Sequence, residues 1–114
     1  MSESHLSTTG KSPIHVASQI AVNAGKILMR RFKGPQEVSF KGKNDPVTDV
    51  DIKVESYIID RLMLEYPYDG FLAEESNPNS GTSGYTWIID PLDGTRNYVM
   101  GIPFFSLVIA LAYR

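Results

Sequence analysis

Apolar positions recur at helical spacing over two stretches of this chain and at strand spacing over four. Ser12-Pro13 opens the first helix, with Ser as N-cap and Pro at the first helical position. Ile14, Ala17, Ala21, Ala24 and Leu28 follow at three- and four-residue steps, with Ile20 and Ile27 beside them, which predicts a helix with one apolar face. Lys26, Arg30, Arg31 and Lys33 place positive charge where the helix dipole favours it, and Gly34-Pro35 ends the helix. His15 has no His or Cys partner at ligand spacing and is taken as an ordinary histidine. Val38-Ser39-Phe40 alternates as a short strand, and the charged run from Lys41 to Pro46 predicts a turn. Thr48-Asp49-Val50-Asp51 opens a second helix, with Val54, Ile58 and Leu62 on one face, and Pro67 stops it. Asp69-Gly70 predicts a turn, and Phe71-Leu72-Ala73 a strand ending at Glu74-Glu75-Ser76. Asn77 to Gly84 has loop composition. Tyr85 to Ile89 predicts a strand, and Phe104 to Tyr113 a long apolar strand of the kind covered on both faces.

Composition and charge narrow the picture. The chain has 114 residues, 42% hydrophobic and 21% charged, which predicts one folded globular domain. Its formal net charge of −2 supplies no basic field for nucleic acid. The absence of cysteine excludes disulfides, thiol catalysis and zinc–thiolate sites. Residues 1–12 are polar, do not form a secretory signal and are expected to be a disordered leader. The apolar run Val99 to Ala112, broken by Gly101, Pro103 and Ser106, is too short for the roughly 20 residues that span a bilayer. A soluble, cytoplasmic protein without membrane partners is the expectation.

Four acidic clusters punctuate the elements: Asp49/Asp51, Glu74/Glu75, Asp90 and Asp93. Mg²⁺ takes oxygen ligands from a few carboxylates, water and substrate phosphate. If parallel neighbours in one sheet deliver Glu74 and Asp90 to the same edge, their carboxylates converge and Asp93 reaches back from the turn. Two cations can then share Asp90 in a two-metal hydrolysis. A short helix beginning at Gly94-Thr95 would aim backbone N–H groups at an anion. The Thr95 hydroxyl, backed by a carboxylate such as Asp51, can hold an attacking water. Each piece also has a plain structural reading. Asp-Pro and Asp-Gly are turn dipeptides, Thr48-x-x-Asp51 is a capping box, Glu74-Glu75 can be a solvated strand end, and Lys41 and Lys43 can be solvated turn charges. These plain readings weaken together, because each would have to fall by chance at the right element end. No Walker-type loop, GxGxxG, HExxH or GxSxG motif is present.

Three blocks carry a family resemblance: Lys41-Gly42-x-Asn44-Asp45-x-Val47-Thr48-x-x-Asp51, then Glu74-Glu75-Ser76, then Trp87-Ile88-Ile89-Asp90-Pro91-Leu92-Asp93-Gly94-Thr95-x-Asn97-Tyr98. In order and spacing they resemble the N-terminal half of the inositol monophosphatase family, among the Mg²⁺-dependent, lithium-sensitive sugar phosphatases. Tyr98 stands where Phe is more usual. The resemblance implies a layered αβαβα sugar-phosphatase fold, of α+β class, here with two helices on a mostly antiparallel or mixed sheet. It implies two or three Mg²⁺ ions. Glu74, Asp90 and the Leu92 carbonyl would hold the first, and Asp90 and Asp93 the second. Gly94 and Thr95 N–H groups would hold phosphate, and Thr95 with Asp51 would position and activate water. Lys41 would lie near the site beside a third, weaker metal, and Glu75 would support from behind. A homodimer acting on a small phosphorylated polyol or sugar follows from the same resemblance. The third block stands closest to the inositol phosphate branch. Histidinol phosphate, fructose bisphosphate and 3′-phosphoadenosine nucleotides are substrates of other relatives.

Family members are about twice as long. The expectation is therefore a leader over 1–12 and a metal-binding half over 13–114. A further Asp of the second metal and the residues that grip the sugar would lie beyond Arg114. The chain alone is expected to be weakly active or inactive. The alternative is a non-catalytic truncated relative that binds metal or pairs with another subunit.

Overall fold

The computed structural model describes residues 5–34, 37–42 and 45–114; side chains are described over the same residues except 41, 42 and 45–47. In chain order the elements are α1 (Pro13–Arg31), β1 (Val38–Gly42), β2 (Asp45–Thr48), α2 (Asp49–Glu65), β3 (Gly70–Ala73), β4 (Tyr85–Asp93), α3 (Thr95–Val99) and β5 (Ser106–Tyr113).

Helix α1 starts as its sequence dictates. The Ser12 side chain accepts from the His15 N–H, Pro13 occupies the first turn, and Arg30 and Arg31 lie in the last. Its buried stripe is Val16, Ile20, Ala24 and Leu28, a strict four-residue step. The expected stripe was set one position off at its start, and Ile14 is 75% exposed. Apolar residues run more than halfway round α1, including the exposed Val22 and Met29, so periodicity alone does not single out the packed side. On α2 the expected face is the observed one: Val54, Ile58 and Leu62 are all buried.

The main sheet is mixed, in the order β3-β4-β5, with β3 parallel to β4 and β4 antiparallel to β5. Both long helices lie on one face. Their buried stripes meet Trp87 and Ile89, with Phe71, Leu107, Ile109 and Leu111 packed alongside. Strand side chains alternate between faces. The long apolar run of β5 therefore turns only Leu107, Ile109 and Leu111 to the helices. Leu72, Ile88 and Val108 are exposed on the other face of the 114-residue chain.

Three local features depart from the sequence reading. The charged run after Phe40 is not only a turn: β2 pairs antiparallel with β1 there, with Val38 opposite Thr48 and Phe40 opposite Pro46, while Lys43 and Asn44 lie outside the described residues. Gly, Asp and Pro composition hid this second strand. Strand β4 runs on to Asp93 through a bulge, because the pairing of Asp90 with Val108 is followed next by that of Asp93 with Ser106. Pro91 has no N–H to give a ladder, and the bulge absorbs it. Residues 5–12, expected as a disordered leader, are packed in place. The His5 ring stacks on Tyr85 and Tyr66, its Nε2 lies 2.7 Å from Asp69 Oδ2, and Tyr66 donates to the Lys11 carbonyl at 2.8 Å. Asp69 is only 2% exposed and also accepts from the Trp87 indole N–H (2.9 Å) and the Ser83 hydroxyl (2.7 Å). The apolar and aromatic surface at the end of α2 recruits this segment; polarity alone suggested disorder.

Candidate active site

The parallel pairing of β3 and β4 sets the frame. Ala73 pairs with Ile89, so the next residues, Glu74 and Asp90, leave the ladder side by side at one edge. The bulge then swings the chain so that Leu92 is buried and Asp93 is exposed beside it. At Gly94 the backbone is left-handed, with φ +93°, and a side chain there would meet the Phe104 carbonyl oxygen at 3.1 Å. Glycine satisfies both constraints at once. It caps α3, which starts at Thr95.

Asp51 reaches this turn from α2. It is 5% exposed, and its two oxygens do different work. Oδ1 accepts from the Thr48 N–H at 3.1 Å and from the Thr48 hydroxyl, which itself accepts from the Asp51 N–H at 3.1 Å. That is the capping box. Oδ2 accepts from the Thr95 hydroxyl at 3.0 Å. The helix-cap reading and the reading that pairs Asp51 with Thr95 therefore hold together. The Leu92 carbonyl is a second acceptor for the Thr95 hydroxyl, at 3.1 Å, and the single proton serves one of the two at a time.

Asp90 is half-buried, and its carboxyl is held above the ordinary range. Burial is the main cause; the neighbouring Glu74 carboxylate comes next, then Asp93 and Asp51, while a Leu92 backbone N–H opposes them. The side chains acting on it are all acidic. Asp49, from the same acidic run as Asp51, is used elsewhere. It takes Arg31 at 2.7 Å and the Glu37 N–H at 2.9 Å, and the Arg31 hydrogen bond holds its carboxyl below the usual value. It ties the end of α1 to the start of α2. Lys41 lies in β1, and its side chain is outside what is described.

A recess of about 270 Å³ opens beside the turn, lined by Asp93, Gly94, Asn97, Phe104, Phe105 and Ser106. A larger one, about 420 Å³, lies between α1 and α2 and is lined by none of the turn's carboxylates. Of these two, the smaller is the one lined by the acidic turn, through Asp93.

The donors at this edge are all oxygen: the carboxylates of Glu74, Asp90 and Asp93, the Leu92 carbonyl and the Thr95 hydroxyl. Oxygen donors of this kind suit a hard divalent cation, and mutual repulsion of the carboxylates around Asp90 is what such a cation would relieve. Among the described residues, no three His, Asp or Glu side chains are gathered closely enough to hold an ion unaided.

Sequence reasoning missed Glu55. It lies one turn beyond Asp51 on α2, is 1% exposed, and accepts from the Glu75 N–H at 3.1 Å and the Ser76 hydroxyl at 2.6 Å. The available signal was an acid inside the apolar stripe of α2, where a carboxylate is buried only with partners.

A family model described as the inositol monophosphatase family matches residues 11–114. The chain is 45% identical over 101 residues to an inositol-1-monophosphatase of Rhizobium meliloti, covering 86% of this chain and 38% of that protein. It is 39% identical over 104 residues to Nus factor SuhB of Escherichia coli strain K12, covering 89% of this chain and 39% of that protein. The solved structure of the extragenic suppressor protein suhB of Bartonella henselae superposes with a TM-score of 0.85 at 42% identity, covering 88% of this chain and 40% of that one. The chain thus spans about two fifths of the length of these relatives. Its helices and mixed sheet are the corresponding part of the sugar-phosphatase fold.

Proposed function

The chain belongs to the inositol monophosphatase family, and on that premise we propose that it carries one wall of a Mg²⁺-dependent phosphomonoesterase site. The substrate class is a small polyol or sugar phosphate, with inositol monophosphate the first candidate. The observation that carries this reading is the Thr95–Asp51 hydrogen bond, 3.0 Å long, set beside the Glu74, Asp90 and Asp93 edge.

Glu74, Asp90 and the Leu92 carbonyl would hold one ion, and Asp90 and Asp93 a second, with water and substrate phosphate completing each shell. Bound Mg²⁺ supplies Lewis acidity, polarising phosphoryl oxygens and making water more acidic. The chain's own residues supply position. Thr95 donates its proton to Asp51 Oδ2, which leaves its oxygen lone pairs to accept from a water. Polarisation along that chain of hydrogen bonds strengthens Thr95 Oγ1 as an acceptor. As the water oxygen bonds to phosphorus, the ester P–O bond breaks and the sugar or polyol leaves as an alkoxide that takes a proton from solvent water; the attacking water's proton moves to Thr95 Oγ1 and the Thr95 proton to Asp51 Oδ2. The Thr48 contacts fix the other Asp51 oxygen and so fix the direction of transfer. Gly94 and Thr95 N–H groups bind the phosphate, and Glu75 and Lys41 support the site from outside it.

The test is phosphate release by the full-length protein from inositol monophosphate, histidinol phosphate, fructose bisphosphate and a 3′-phosphoadenosine nucleotide, with and without Mg²⁺. Release that depends on Mg²⁺, falls with Li⁺ and collapses in Asp90→Asn is the expected result. No Mg²⁺-dependent release from any of the four sinks the reading. The isolated 114-residue chain is expected to be weakly active or inactive. The second reading is a non-catalytic truncated relative that binds metal or pairs with another subunit. It predicts tight subunit association with no hydrolysis at saturating metal. A homodimer is the proposed assembly. No helix among the described residues is long and apolar enough to cross a membrane, and a cytoplasmic location is part of the proposal.

A further inference from the structure

We propose that Glu55 is a positioning residue for the metal site: it fixes the Glu74 carboxylate by holding the chain immediately after it. The inference rests on the phosphatase reading above.

Glu74 sits just beyond the end of β3, where the last ladder pair is Ala73 with Ile89. On its N-terminal side it is therefore anchored by the sheet. Beyond it the β3–β4 ladder ends. Glu55 takes over at that point. Both of its carboxylate oxygens lie 3.1 Å from the Glu75 N–H, and Oε2 also accepts the Ser76 hydroxyl at 2.6 Å. Hydrogen bonds to a carboxylate are among the stronger ones. Glu74 is thus pinned on both sides, by the sheet before it and by Glu55 after it.

The burial of Glu55 argues that this is a committed role. At 1% exposure the side chain is enclosed within the α2 packing face, between Val54 and Ile58 in sequence. A carboxylate in that place costs folding free energy unless donors meet it. The donors that meet it come from the residues following Glu74. Asp51, one turn earlier on the same helix, meets Thr95. A single rigid helix thereby sets the distance between the water-positioning pair and the Glu74 carboxylate. Outer partners of this kind typically change metal affinity 10- to 100-fold when removed.

The experiment uses the full-length protein, with Mn²⁺ as the probe and water-proton relaxation as the readout, alongside thermal unfolding and Mg²⁺-dependent kinetics. Glu55→Gln keeps the side-chain volume but sets an NH₂ among the N–H and O–H donors. We expect Mn²⁺ affinity to fall about tenfold, with kcat at saturating metal within about threefold of the parent. Ser76→Ala removes one donor from the surface side and should weaken Mn²⁺ in the same direction by a smaller factor. A lower unfolding midpoint with unchanged Mn²⁺ affinity in both variants would overturn the assignment and leave Glu55 a folding residue only. Should Glu55→Gln not fold, Ser76→Ala decides by the same criterion. Asp90→Asn is the control that separates the two levels of inference. If it binds Mn²⁺ as the parent does, the metal site itself is wrong and the Glu55 proposal falls with it. If it loses Mn²⁺ while Glu55→Gln and Ser76→Ala keep it, only the Glu55 proposal falls.

Discussion

Thr95 Oγ1 donates to Asp51 Oδ2 at 3.0 Å, joining the first turn of α2 to a turn 44 residues further along the chain. A contact of that span needs α2, the parallel pair β3–β4 and the Asp90–Asp93 bulge all in register. It is also the pair that the proposed chemistry uses to hold and deprotonate water. Thr95→Val removes the hydroxyl and keeps the volume. It should lower Mg²⁺-dependent turnover on the order of 10²–10⁴-fold, the usual yield of a positioned proton acceptor. Thr95→Ser should retain most of it. Turnover within a few-fold of the parent in the Val variant would remove Thr95 from the mechanism.

Asp51 carries two roles, and they are separable. Asp51→Asn keeps an oxygen for the cap and loses the proton acceptor, so activity should fall while the unfolding midpoint barely moves. Asp51→Ala loses both, adding the loss of the cap contact, about 1 kcal/mol of stability. Equal stability losses in the two variants would contradict the division of work between Oδ1 and Oδ2.

How much of this was legible in the sequence depended on whether the signal was local. The α2 face, the Ser12 and Thr48 caps and the end of β3 at Glu74 were readable because spacing and capping act within a few residues. The parallel neighbours that bring Glu74 beside Asp90 could be named only as a condition. The bulge at Pro91 lay hidden because strand pairing is a property of two chains of backbone. Glu55 was overlooked for a related reason: an acid on a helix is ordinarily solvated, and although its place in the apolar stripe hinted at burial, its partners, the Glu75 N–H and Ser76 hydroxyl, lie 20 and 21 residues away. His5 and Asp69 were missed in the same way. A polar leader and a turn dipeptide became partners once Tyr66 and Tyr85 offered a slot between them.

Gly94 is strained for any other residue. With φ at +93° and the Phe104 carbonyl oxygen 3.1 Å from a Cβ, Gly94→Ala should cost about 1–2 kcal/mol from the backbone alone. It should also displace the Phe104–Phe105 segment that walls the recess. Urea unfolding reads the first effect and KM the second. A neutral substitution would mean that the turn relaxes freely.

Tyr66 gives the alkaline limb. Burial raises its phenol from 10.0 to about 12, with Asp69 and Glu65 adding to the shift. A folded pKa above the unfolded one means the contribution is complete below pH 10 and is lost as pH rises towards about 12. Tyr66→Phe should be less stable by about 1 kcal/mol at pH 8, through loss of its hydrogen bond to the Lys11 carbonyl. Its stability should also decline less steeply between pH 10 and 12. Parallel pH curves for the two proteins would refute the assignment.

Asp90 should behave in the opposite sense to a stabilising carboxylate. Its carboxyl is raised by burial and by Glu74, so the folded state favours the protonated form. The folded state then binds more protons than the unfolded one just above the ordinary value of 3.8, and the metal-free protein loses stability as pH rises through the folded pKa. Asp90→Asn removes that charge and should raise the metal-free unfolding midpoint at pH 7. The gain should vanish near pH 3, where the carboxyl is protonated in both states. Mg²⁺ reverses the order: an ion bound only by the folded protein stabilises it by mass action, so the parent midpoint rises with Mg²⁺ concentration and that of Asp90→Asn stays flat. Calorimetric scans of both proteins at the two pH values, with and without Mg²⁺, measure all of this. If Asp90→Asn is less stable than the parent without metal at pH 7, the crowding of acids around Asp90 is not the dominant charge effect at this edge.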